Sequence, residues 1–203
     1  MWKKTLRRLP ALATCLALAG CCANDTCICN DKLADALLFS FKIGSGTGDF
    51  LATDVDTLLV TRITKPDPRT NGQISRETKL LTYPLTANGL ELRDNSFLIN
   101  NAAPFASAGG TTKLKDYDYR IVAVRTDQMA GRKVQTRYVF KVSNIQLAGD
   151  YKANGCCTCY ANSGKSFTIN LIANDTTSSS SVIRRDVTTS NVNEQIVTEL
   201  RKP

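Results

Sequence analysis

From Ala34 onward, apolar and polar residues alternate with a period of two, the spacing of strands that bury one face. Leu37, Phe39, Phe41 and Ile43 share a face, and the run Gly44-Ser45-Gly46-Thr47-Gly48-Asp49 ends that strand. Residues 55–63 are β-branched and apolar and stop before Lys65-Pro66-Asp67-Pro68. Residues 78–85 and 96–100 predict shorter strands, punctuated by turn signals at Asn88-Gly89 and Asp94-Asn95. Residues 102–112, with Gly109-Gly110, read as a loop. Residues 117–124 and 134–147 carry the strongest alternation. In the second of these, Val134, Thr136, Tyr138, Phe140 and Val142 face one way, and Gln135, Arg137, Lys141 and Ser143 the other. The two are expected to pair as a hairpin across residues 127–133. Residues 166–172 predict another strand, with Phe167, Ile169 and Leu171 inward, followed by a polar loop over 176–181. Residues 182–187 and 195–200 are expected to form a closing pair. Only residues 31–38 have room for a helical turn.

Seven to nine short strands without strand–helix alternation or an internal repeat predict an all-β fold. The expected architecture is an antiparallel β-sandwich of immunoglobulin-like or transthyretin-like kind, with a small barrel as the alternative.

Charge changes the picture less than its total suggests. The formal net charge is +8, but four of the 26 basic residues precede Cys21 and none of the 18 acidic ones does. The remainder carries 22 basic against 18 acidic residues, scattered among the strands, so no nucleic-acid partner is expected. The chain has no histidine. That removes the commonest general base and metal ligand, together with Ser-His and Cys-His nucleophile pairs. No Ser-x-x-Lys motif occurs. No cofactor and no enzymatic activity are expected.

The first residues read as an address. Residues 1–8, MWKKTLRR, are basic, and residues 9–20, LPALATCLALAG, form a short apolar run, the arrangement of a secretory signal. That run is shorter than the roughly 20 residues that span a bilayer. Leu18-Ala19-Gly20-Cys21 matches the lipobox of bacterial lipoproteins. Cys22 and Cys15 fit it less well: Cys22 lacks the usual leucine, and Cys15 follows Thr14 after too short an apolar run. The resemblance implies cleavage before Cys21, diacylglycerol on its thiol and acylation of the new amino group. It divides the chain into a signal (1–20), a lipid tether with a cysteine cluster (21–34) and a β-sandwich domain (35–203).

Cys22, Cys27, Cys29, Cys156, Cys157 and Cys159 then form two tight clusters. Exported chains meet an oxidising compartment, so disulfides are the expected state. Bridges between near neighbours would be strained, which favours bonds from Cys27 and Cys29 to the 156–159 cluster. The alternative is a thiolate site for zinc or copper, but no Cys-x2-Cys knuckle is present.

Other candidates compete with plainer readings. Gly44-x-Gly46-x-Gly48 lacks the ending and the following helix of a phosphate loop, and reads as a strand connection. Gly164-Lys165-Ser166 reads as a hairpin turn. Asp54 with Asp56, and Asp116 with Asp118, are carboxylate pairs that would suit calcium or acid–base work if they converged. They are read as solvent-facing charge beside strands. Tyr117, Tyr119, Tyr138, Phe140 and Phe167 at period two are read as core rather than as a glycan or peptide groove.

The lipobox, the Cys27-Ile28-Cys29-Asn30-Asp31 run, the strand-rich body and the later Gly155-Cys156-Cys157-Thr158-Cys159-Tyr160 together resemble small secreted lipoproteins of Bacteroidota. The resemblance implies a lipid-anchored protein of the cell envelope with a binding or accessory role. Its partner would be an envelope complex or a glycan. Cys22, not aspartate, follows the acylated residue, which favours the outer membrane. Calcium or glycan binding is the alternative function, and a carboxylate-dependent hydrolase a distant third.

Overall fold

A computed structural model describes residues 27, 29, 31–55, 57–82, 96–105, 113–154, 157–172, 179–188 and 196–202. Residues 1–20, Cys21, Cys22, Asp56, Cys156, residues 83–95, Gly109-Gly110 and the first part of the 176–181 segment lie outside the described residues. Among the described residues no helix is long and apolar enough to cross a membrane.

Among the described residues one α-helical turn, α1 (Asp31–Ala34), precedes nine strands. These are β1 (Leu37–Phe41), β2 (Thr57–Thr64), β3 (Arg76–Thr82), β4 (Ser96–Ile99), β5 (Tyr117–Met129), β6 (Arg132–Asn154), β7 (Cys157–Ile172), β8 (Ser179–Asp186) and β9 (Val197–Leu200). They form a three-stranded sheet, β4-β1-β9, packed on a six-stranded sheet, β3-β2-β5-β6-β7-β8. The all-β sandwich read from the alternation is the architecture found.

The core lies where the inner faces meet. Leu37, Phe39 and Phe41 of β1 and Phe97 and Ile99 of β4 pack on Leu58, Val60, Ile121, Phe140, Val142, Phe167 and Ile169 of the large sheet. Phe39 sits at the junction, its ring 5.5 Å from Phe97 and 5.7 Å from Phe167. Tyr119, Phe140 and Phe167 are buried there, and Tyr117 and Tyr138 pack against the same cluster, so these aromatics build core.

Four details depart from the sequence expectations. The last two strands do not pair with each other: β8 pairs antiparallel with β7, and β9 lies parallel to β1, with Phe39 opposite Thr198. A four-residue segment has too little alternation to announce its neighbour. Second, the β5–β6 hairpin turns at Ala130-Gly131, with Met129 opposite Arg132, rather than across 127–133. Third, Gly164-Lys165-Ser166 lies within β7, which starts at Cys157, and the β6–β7 ladder runs on to Asn154 opposite Cys157. Fourth, the large sheet buries apolar residues on its outer face too. Val122, Val124 and Val139 form a second cluster there with Leu59 and Ile172.

Candidate functional site

The two sheets differ greatly in strand length. β1 and β4 have five and four residues, whereas β6 has 23 and β7 has 16. The small sheet therefore covers only part of the β6–β7 hairpin, and a cleft opens where the hairpin overhangs. It has a volume of about 270 Å³ and is lined by Asp35, Asn101, Lys113, Lys115, Leu147, Tyr151 and Tyr160.

Each wall is fixed by local structure. Asp35 follows α1 and accepts a hydrogen bond from Asn162 Nδ2 at 2.8 Å. The Tyr160 hydroxyl also bonds Asp35; burial first, and then the Asp35 charge, push the Tyr160 pKa up. Beneath this pair, Lys165 is only 7% exposed, and its ammonium donates to the Ala36 carbonyl at 2.8 Å. Burial lowers the Lys165 pKa, and the nearby Asp35 carboxylate opposes that shift. The Tyr160 ring lies close over Gly149, where any Cβ would run into the phenol and the Ala161 carbonyl. Asn101 Oδ1 accepts from the Leu114 N–H at 2.6 Å and sets the turn Leu114–Asp116 beside the cleft. Lys65 Nζ donates to the Lys115 carbonyl at 2.6 Å on the same rim. The ammonium groups of Lys113 and Lys115 form no ion pair among the described residues. Tyr151 is 72% exposed and meets the Tyr160 ring edge-on at 5.5 Å. This set offers a ligand positive charge, hydrogen bonds and an aromatic face.

The cleft opens beside two disulfides. Cys27 bonds Cys157 and Cys29 bonds Cys159, each with a Cα–Cα distance of 5.4 Å. The pairing is the one expected between the clusters. The common sequence separation of 130 means that the chain passes Cys27 and Cys29 in the same direction as Cys157 and Cys159. Tyr160 is the next residue after Cys159, and Tyr151 is its cross-strand partner.

The candidate aspartates among the described residues, Asp54, Asp116 and Asp118, each have their own partners. Asp54 is fully buried rather than solvent-facing. It accepts from the Leu51 N–H at 2.7 Å and from Arg125 Nη1 at 2.8 Å, and forms an ion pair with Lys202. Burial alone would raise its pKa, but these donors hold it below the usual carboxylate value. Asp116 spends its carboxylate on the Lys113 N–H at 3.0 Å. Asp118 lies 3.5 Å from Lys141 Nζ. Arg125, which holds Asp54, is seven residues from Asp118 along β5. At about 3.3 Å per residue Arg125 and Asp118 stand roughly 23 Å apart along the strand, so Asp54 and Asp118 are held by different partners at different places on β5 and do not form a working pair. Asp56 lies outside the described residues. Among the described residues no cluster of three or more His, Cys, Asp or Glu could hold a metal ion. Gly44-x-Gly46-x-Gly48 is a connection closed by Asp49, which accepts from the Gly46 N–H at 3.1 Å, and by the Lys202 N–H, which donates to the Gly48 carbonyl at 2.7 Å.

Sequence reasoning missed every residue of the cleft. Only Lys165 left a signal: it continues the inward series Phe167, Ile169, Leu171, where a lysine is out of place. No protein-family model, no curated protein and no solved structure matches this chain.

Proposed function

We propose that this chain is a lipid-anchored cell-envelope protein with a non-enzymatic binding or accessory role. It is held by acylated Cys21, in the outer membrane. The observation that carries the reading is the pair of disulfides, Cys27–Cys157 and Cys29–Cys159. Structural disulfides persist in oxidising compartments and are rare in the cytosol. Both begin within eight residues of Cys21, so the segment that would carry the lipid is fastened to the folded body. Several acyl chains, at about 0.8 kcal/mol per buried methylene, make such an anchor effectively permanent.

The test is Cys21→Ser expressed in a Gram-negative host. The expected product keeps residues 1–20 and takes up no labelled fatty acid, whereas the parent chain is cleaved and fractionates with the membrane. Unchanged cleavage and membrane retention in the variant would refute the anchor.

A further inference from the structure

We propose that the cleft end of the β6–β7 hairpin lies against the membrane that holds the anchor. There Lys113 and Lys115 meet anionic headgroup phosphates, and Tyr151 sits at the headgroup level. The inference rests on the anchoring proposed above and deepens it, because it gives the domain an orientation and the cleft a partner.

The argument is one of reach. Cys27 lies six residues beyond Cys21. Fully extended, that stretch spans about 20 Å. Cys27 and Cys29 are bonded to Cys157 and Cys159, and Tyr160 with its partner Tyr151 follows directly. The tyrosine pair and the lysines that share its cleft are therefore the part of the domain that the tether keeps nearest the bilayer.

The chemistry at that end suits a headgroup layer. Tyrosine is favoured at membrane interfaces, where its ring is apolar and its hydroxyl wet. Tyr151 is exposed and backed edge-on by Tyr160. Lys113 and Lys115 are solvent-exposed and have no carboxylate partner among the described residues. The acidic wall, Asp35, is turned inward to Asn162 and Tyr160. Asp150 and Lys152, which flank Tyr151, offset each other in charge, and the Asp150 charge reaches the Tyr160 hydroxyl. The opposite end of β6, at the turn Ala130-Gly131, lies about twenty residues from Tyr151 along the strand, beyond the irregularities at Ser143–Gln146 and Ala148–Gly149. Met129, exposed beside that turn, serves as an internal control.

The experiment uses the acylated chain in vesicles of phosphatidylglycerol with brominated acyl chains. The chain has one tryptophan, Trp2, which leaves with the leader. Tyr151→Trp or Met129→Trp therefore gives the processed protein a single emitter, and both positions are exposed enough to accept the ring. The expected result is lost and blue-shifted emission at position 151 and unchanged emission at 129. Phosphatidylcholine vesicles, or Lys113→Glu with Lys115→Glu, should weaken the contact by about fivefold per lysine charge removed while the anchor holds.

A processed, acylated protein with equal emission at both positions would overturn the docking and leave the anchor standing. Relief of the quenching by added galacturonate would overturn it in favour of a saccharide site. A product whose mass still includes residues 1–20 would overturn the anchor, and the orientation with it.

Discussion

At neutral pH the Asp54 carboxylate carries its charge in a fully buried position, between the Arg125 guanidinium and the Lys202 ammonium. The same ammonium lies over the rings of Phe50 and Tyr138, so this one carboxylate ties the 197–202 segment to the core. Asp54→Asn keeps the shape and removes the charge, which should lower stability by about 3 kcal/mol in urea unfolding at pH 7. The pH dependence has a definite sign. The folded pKa lies below the ordinary value of 3.8, so the stabilisation is complete above that value and is lost as pH falls through the folded pKa. The gap between parent and variant should close in that acid range, and a gap that persists there would locate the effect in geometry instead of charge. None of this was legible locally. The sequence around Asp54 shows a carboxylate beside a strand, and its Arg125 partner is 71 residues away. The aromatics were legible because burial of alternate positions leaves a local mark: Tyr119, Phe140 and Phe167 are core as the spacing predicts.

At the scale of the element, periodicity identified strands well where one face meets the core and poorly where a strand leaves it. Residues 128–135 of the β5–β6 hairpin are all exposed, so their polarity reads as a loop although the ladder continues to Met129 and Arg132. The turn itself has an identifiable weakness. Ala130 has φ of 49° and Gly131 of 78°, the positive pair of a tight two-residue hairpin turn. Glycine accepts such angles freely, whereas alanine in the left-handed region costs about 1 kcal/mol. Ala130→Asn supplies the preferred Asn-Gly pair. It should raise amide-exchange protection at the neighbouring Met129 and Arg132 about fivefold, measured by native-state hydrogen exchange. Protection that falls or stays the same would mean that the turn does not limit opening of the arm. The Lys165 region misled for the opposite reason. Glycine beside lysine and serine suggests a turn, but Gly164 packs against Ala148 in the middle of the β6–β7 ladder.

For the whole molecule, the two disulfides among the described residues are not independent contributions. With neither present, the first to form closes a loop of about 130 residues, worth about 5 kcal/mol in the chain-entropy model. The second then closes only the short ring through residues 27–29 and 157–159, worth about 2 kcal/mol. Removing Cys27–Cys157 or Cys29–Cys159 alone, by paired serine substitutions, should therefore cost about 2 kcal/mol each, and removing both about 7 kcal/mol. Denaturant unfolding of the three variants reads this directly, and simple additivity would show that the bonds act through native contacts instead. The spacing of the cysteines along the chain made this staple legible. The cleft beside it was not, because Asp35, Lys113, Tyr151 and Tyr160 share no motif and meet only in three dimensions. The parallel contact of β1 with β9 carries a further consequence for biogenesis. A chain that emerges from its leading end presents Leu37–Phe41 early, yet the edge beside them waits for Val197–Leu200. Contacts of such long range are slow to form and leave unpaired edges open while the rest of the chain arrives, so the window for capture by a chaperone is set by the rate at which the chain is delivered.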